Sequence, residues 1–275
     1  MDEVKGNIGI FDSGYGGLTV LNQIVQKLPN YNFTYLGDNA RAPYGTRSFE
    51  TVYKYTLECV EWLFNHNCPL VILACNTASA KALRNIQQKV LPFKYPNKRV
   101  LGVIRPTTEI IGNFSQAKII GILATSGTVI SNSYPIEIAK FSPEVEVYQQ
   151  ACPMWVPLIE NNEHLSKGAE YFIKKDIENL LSQNERIDTI LLACTHYPLI
   201  IEKIKQFIPN NIQVLTQGNI VANSLESYLI RHSEIDDLLL KERKISFYTT
   251  DSTQDFNKKG SIFYKQTIHS CIAEV

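Results

Sequence analysis

Three observations predict an α/β fold of two similar lobes, each a mostly parallel sheet flanked by helices, with a functional cleft between them. First, Val71-Ile72-Leu73-Ala74 and Ile190-Leu191-Leu192-Ala193 are apolar, partly β-branched runs of the kind that form strands buried on both faces, and each delivers a cysteine, Cys75 or Cys194. Second, such strands alternate with amphipathic helical stretches, as in parallel sheets crossed by helices. Third, the pattern starts again after Pro96-Asn97, so that strand, Ala-Cys, polar residues and helix recur in both halves. A boundary near Lys98 follows, with residues 1–98 plus 210–275 as the first lobe and 99–209 as the second. Ligands of open α/β sheets bind beyond the carboxyl ends of strands, which puts both thiols where chemistry is expected.

Residues 7–11 are the first strand, running into Asp12-Ser13-Gly14-Tyr15-Gly16-Gly17 and then a helix with Leu18, Val20, Leu21 and Ile24 on its buried face. A dinucleotide fingerprint would need glycine where Thr19 stands, and the Gly-Lys-Ser/Thr of a P-loop is absent. Two readings of the turn stay open. Its backbone N–H groups and the helix N-terminus hold a small anion, or it is a tight turn with Ser13 as helix cap. Residues 33–36 form the second strand, followed by a loop rich in turn formers that carries Asp38, Arg41, Tyr44 and Gly45. Ser48 caps a long helix burying Val52, Thr56, Cys59 and Leu63. Beyond Cys75, residues Asn76, Thr77 and Ser79 are competent N-caps for a helix over 78–90, and a thiol at a helix N-terminus has its thiolate favoured.

In the second half, residues 99–104 read as strand, Pro106 opens a helix, and 117–123 form a strand leading to the polar loop Ala124-Thr125-Ser126-Gly127-Thr128. A strand over 145–149 is followed by an apolar segment from Cys152 to Glu160, then by a charged helix that ends near Gln183. The strand to Cys194 begins at Asp188, and Pro198 suits the first turn of a helix over 199–207, with Thr195 or His196 near its cap. Residues 213–215 and 245–249 are the remaining strands, separated by a helix over 220–230, and a polar, Lys-rich turn follows the last of them.

Composition narrows the function. With 27 basic and 27 acidic side chains, zero net charge and no block of like charge, neither nucleic acid nor an anionic membrane is expected as an obligatory partner. Met1-Asp2-Glu3-Val4-Lys5 lacks the charged and apolar regions of a leader, and no apolar run is long enough to span a bilayer, so a cytoplasmic location is expected. The six cysteines (Cys59, Cys68, Cys75, Cys152, Cys194, Cys271) are expected to be reduced. No C-x-x-C or zinc-type His/Cys spacing is present, and no metal is expected.

Two thiols placed in this way leave three chemistries. One is a thiol nucleophile with His196 as base, although His196 stands only two residues from Cys194. Another is redox exchange, which usually uses closer cysteines. The third is proton removal by one thiolate and proton return by the other thiol from the opposite face, which inverts a stereocentre.

The motifs Phe11-Asp12-Ser13-Gly14-x-Gly16-Gly17, Gly37-Asp38-x-Ala40-Arg41-x-Pro43-Tyr44-Gly45, Ala74-Cys75-Asn76-Thr77-Ala78-Ser79 and Cys194-Thr195-His196-x-Pro198-Leu199 resemble the cofactor-independent glutamate racemases of the aspartate/glutamate racemase superfamily, over nearly the whole chain. The resemblance implies that Cys75 takes the α-proton from D-glutamate and Cys194 from L-glutamate, with no cofactor, Asp12 and His196 assisting. It also implies substrate contacts from Asp12, Ser13, Tyr44, Gly45, Asn76, Thr77, Thr195 and His196, help from Glu160 near the second thiol, a homodimer, and D-glutamate supply for peptidoglycan. Aspartate is the rival substrate, and glutamate binding without turnover or Cys194–His196 hydrolysis are the rivals from other classes. At Thr216-Gln217-Gly218 many relatives carry Asp-Ser-Gly, and neither this departure nor Arg105 has a reading at this level.

Overall fold

The computed structural model describes residues 5–275; the leader reading of residues 1–4 lies outside the described residues. The strands in chain order are β1 (Ile8–Asp12), β2 (Phe33–Gly37), β3 (Leu70–Leu73), β4 (Arg99–Gly102), β5 (Ile119–Ala124), β6 (Glu146–Ala151), β7 (Thr189–Ala193), β8 (Gln213–Thr216), β9 (Ile245–Thr249) and β10 (Ser270–Ile272). They form a six-stranded sheet, β10-β9-β2-β1-β3-β4, and a four-stranded sheet, β6-β5-β7-β8. Every pairing within the sheets is parallel, for example Phe11 opposite Leu73 and Ala124 opposite Ala193.

β2-β1-β3-β4 and β6-β5-β7-β8 have the same order relative to the chain, so the two lobes share a topology. All residues of β1, β3, β5 and β7 are buried. Each buried Val, Leu or Ile contributes roughly 1.5–3 kcal/mol of apolar transfer, which selects these runs as the sheet centres. Lobes meet where the helix Gly17–Lys27, following β1, packs along the helix Gly218–Arg231, following β8.

Sheet membership changes one strand later than the boundaries drawn from the sequence. β4 belongs to the six-stranded sheet and β8 to the four-stranded one, so the chain crosses between Gly102 and Ile119 and returns between Thr216 and Ile245. The break at Pro96-Asn97 is a turn within the first lobe, because Arg99–Gly102 still pairs with Leu70–Leu73.

The expected helix over 78–90 is broken into Asn76–Lys81, Leu83–Asn85 and a π-helical turn, Ile86–Val90. The Lys-rich turn after β9 is a helix, Thr253–Tyr264, capped by Ser252 accepting from the Asp255 N–H, with Phe256, Gly260, Phe263 and Tyr264 buried. It carries the chain to β10, which takes the edge beside β9. Ser48 caps Phe49–Asn65 as expected. All six cysteines are unpaired, and only Cys271 is exposed.

Candidate active site

In each sheet the chain goes from β1 to β2 on one side, or β5 to β6, and then crosses to β3, or β7, on the other, so the crevices beyond Asp12 and Ala124 are topological switch points. They open on one cavity of about 70 Å³, lined from the first lobe by Ser13, Tyr44, Gly45, Cys75, Asn76 and Thr77 and from the second by Thr125, Ser126, Cys152, Glu160, Cys194, Thr195 and His196. A larger cavity of about 620 Å³, between Arg84, Arg105, Glu137 and Tyr228, contains neither thiol. There Arg105 pairs with Glu109 at 2.7 Å, on the surface. Among the described residues no three His, Cys, Asp or Glu side chains are grouped to hold a metal ion.

Cys75 follows β3 and is itself the N-cap of Asn76–Lys81, its Sγ accepting from the Ala78 N–H at 3.5 Å. Asn76, Thr77 and Ser79 therefore lie inside the helix rather than capping it. The Ser13 hydroxyl lies 3.5 Å from the same sulfur. The helix N-terminus does not prevail at this thiol. Burial, reinforced by the charge of Asp12, pushes Cys75 up to about 12 against the hydrogen bonds with Ser13 and Ala78. In the resting protein at neutral pH Cys75 holds its proton.

Asp12 resolves the two readings of the glycine-rich turn. Its Oδ1 accepts from the Gly14 N–H at 2.9 Å, and the Gly17 N–H also bonds this carboxyl group, so the cradle holds a side chain of the protein's own. Ser13 is not the helix cap; Gly16 holds that position and makes no side-chain bond. Burial raises the Asp12 pKa, opposed by His196 and by the Gly14 and Gly17 N–H groups. No glycine among the described residues has positive φ, and Gly16 lies at φ −58°. Its smallness serves approach between lobes instead, because a Cβ there would stand 2.2 Å from Thr195 Oγ1 and 2.4 Å from His196 Nδ1.

Cys194 follows β7 as Cys75 follows β3. His196 Nδ1 lies 4.0 Å from its Sγ, and His196 Nε2 lies 2.8 Å from Glu160 Oε1. Burial alone would lower the imidazole pKa, but hydrogen bonds and charge from Cys194 and Glu160 outweigh it and raise His196 to about 10. Glu160 comes from the helix Trp155–Glu160, the apolar segment after β6. The ring of His196 also meets Phe263 edge-on at 5.1 Å, so the helix missed in the sequence supports it.

The other expected contacts divide. The Thr195 hydroxyl donates to Asp12 Oδ2 at 3.5 Å, linking the two halves. Thr77 Oγ1 lies 3.0 Å from Thr125 Oγ1, which is 3.1 Å from Thr128 Oγ1, a hydroxyl cluster across the cleft. Tyr44 lines the cavity, but its hydroxyl donates to the buried Asp38 carboxylate, which also pairs with Arg41 at 2.7 Å. The Gly45 carbonyl accepts from the Gly127 N–H of the other lobe at 2.8 Å. Thr125 was not among the expected site residues. Its signal is the same as that of Cys75, a strand ending in Ala followed at once by a capping side chain.

The chain is similar to known racemases over most of its length. A model of the Asp/Glu/Hydantoin racemase family matches residues 8–225. A glutamate racemase from Sulfurihydrogenibium sp. is 38% identical over 253 residues, 91% of each chain, and one from Roseobacter denitrificans is 41% identical over 82% of this chain and 86% of its own. Among solved structures, a glutamate racemase from Bacillus anthracis superposes with a TM-score of 0.88 at 29% identity, and one from Francisella tularensis in complex with D-glutamate with 0.86 at 30%, each over 98% of both chains. The chain belongs to the Asp/Glu/Hydantoin racemase family.

Proposed function

We propose that this enzyme interconverts L- and D-glutamate without cofactor, with Cys75 and Cys194 as the two bases, and that its D-glutamate serves peptidoglycan synthesis. A cytoplasmic location and a homodimer belong to the same reading. The observation that carries it is that two thiols, delivered by equivalent strands of the two lobes, line one cavity.

In the L-to-D direction Cys194 takes the α-proton. The electron pair of the broken C–H bond stays on the α-carbon, which becomes planar, and the Cys75 thiol returns a proton from the opposite face. One S–H bond forms and one breaks, so the pair ends with its proton exchanged between sulfurs and runs the same path backwards for D-glutamate. The Thr77–Thr125 hydroxyls supply fixed dipoles where charge develops, and the Asn76 amide binds a substrate carboxylate whose charge is the same throughout the reaction.

The test is proton NMR of each enantiomer in D₂O. Wild-type protein is expected to wash out the α-proton of both, and Cys75→Ala and Cys194→Ala are each expected to lose racemisation by roughly 10³-fold or more. Aspartate turnover without glutamate turnover would overturn the substrate assignment. Full activity in either cysteine variant would overturn the two-base reading.

A further inference from the structure

Gln217, the departure that the sequence left without a reading, stands where the chain leaves β8 and returns to the first lobe. It is buried, with all of its side-chain polar atoms engaged. Its Nε2 lies 3.0 Å from the Val103 carbonyl and 3.1 Å from Thr107 Oγ1, both on the other crossover between the sheets. The same nitrogen lies 2.8 Å from the hydroxyl of the wholly buried Tyr134, on the second lobe. Gln217 Oε1 accepts from Asn76 Nδ2 at 2.7 Å, and the Tyr134 hydroxyl donates to Asn76 Oδ1 at 2.6 Å. Asn76, Gln217 and Tyr134 thus close a ring of three hydrogen bonds immediately beside Cys75.

The direction of every bond in that ring follows from one atom. A backbone carbonyl can only accept, so Val103 O requires the nitrogen of the Gln217 amide and turns its oxygen toward Asn76. That oxygen in turn requires the nitrogen of Asn76, which leaves Asn76 Oδ1 for the Tyr134 hydroxyl. Reversing either amide would set oxygen against oxygen in a buried site. Asn76 lines the cavity, and once the ring is made its uncommitted donor is the second Nδ2 hydrogen, a group suited to a carboxylate.

We propose that Gln217 is a positioning residue that fixes the substrate-facing amide of Asn76 in the donor orientation, from the point where the lobes are joined. The inference rests on the proposed racemisation for its effect on turnover, but the ring itself can be tested without substrate.

In the side-chain amide NMR spectrum of the substrate-free protein, Gln217→Met and Tyr134→Phe are each expected to shift the Asn76 Nδ2 resonances and speed their hydrogen exchange. Resonances unmoved in both variants would overturn the proposal, whatever the activity. In steady-state assays Gln217→Met is expected to raise the glutamate KM about tenfold with kcat little changed, because an amide that holds substrate equally in ground and transition states acts on KM. In an Asn76→Ala background the same change is expected to leave KM within about twofold, since its route of action is gone. An equal KM increase in both backgrounds would assign Gln217 a purely structural role and overturn the inference. Should Gln217→Met fail to fold, Tyr134→Phe carries the same comparison. A wild-type protein with no turnover would sink the racemase reading alone and leave the spectrum to decide the ring.

Discussion

Cys75 and Cys194 end equivalent strands of two sheets with the same order, yet the loops around them supply opposite chemistry. Beside Cys75 stand a buried carboxyl group, Asp12, and a hydroxyl, Ser13. Beside Cys194 stands His196, held protonated at neutral pH by the sulfur on one nitrogen and Glu160 on the other. The repeated topology provides two places for a thiol on facing walls, and the loops put a carboxyl group beside one and an imidazole beside the other. A reaction whose substrates are mirror images is therefore served by a site that is not symmetric.

The asymmetry is open to direct attack through its two assisting groups. Asp12→Asn and His196→Asn are each expected to lower kcat by roughly 10²- to 10³-fold, the range for losing help with proton transfer. Enantiomers have an equilibrium constant of one, so kcat/KM must remain equal in the two directions for any variant. The difference is expected in the isotope effects. With α-deuterated substrates, Asp12→Asn should raise the effect for D-glutamate, if its proton goes to Cys75 as proposed, and His196→Asn should raise it for L-glutamate. Equal changes in both directions would break the comparison, leaving the two groups as one shared electrostatic environment.

Gly16 tests how closely the walls must approach. Its backbone is right-handed helical and accepts alanine, so the cost of Gly16→Ala lies in the new methyl group against Thr195 and His196. A displacement of about 1 Å at His196 is expected to lower kcat roughly 10- to 100-fold. Gly168, whose added Cβ would find nothing nearer than Ser166 Oγ at 3.7 Å, is the control, and Gly168→Ala should leave turnover unchanged. Equal activity in the two variants would show that the lobes part freely at this contact.

The same residues show what a sequence can carry. β1, β3 and β7 were legible because each is a run of apolar residues that has only a doubly covered sheet position in which to be buried, and the sequence places thiols at the ends of β3 and β7. The purpose of the glycines was not legible, since what crowds Gly16 is contributed by residues nearly two hundred positions away. Nor was the direction of the Cys75 shift, because a helix N-terminus is local and written in the sequence, whereas burial and the charge of Asp12 depend on the assembled lobes. The helix Thr253–Tyr264 was hidden because its buried face, Phe256, Gly260, Phe263 and Tyr264, carries a glycine where an apolar side chain would mark the period, and Lys258 and Lys259 stand just before it. Gln217 was noticed only as a departure, and its meaning required Val103, Tyr134 and Asn76 to be brought around it.

The smallest expected effect concerns the His196 wall alone. Glu160→Gln keeps a group of similar size opposite His196 Nε2 but removes its charge, so the imidazole pKa should fall from about 10 back toward its ordinary 6.5, by roughly 1–3 units. A histidine whose folded pKa is raised contributes stability that is fully present below the unfolded value and is lost as pH rises through the folded one. The variant should therefore melt below wild type near pH 7 and converge with it above about pH 10, the value that His196 reaches in the folded protein. Its alkaline limb of kcat should move to lower pH by the same interval, with little loss of rate at the optimum. An unmoved limb would mean that Cys194, rather than Glu160, holds the charge on His196. The two thiols would then differ through their direct contacts alone, with no contribution from the carboxylate behind the ring.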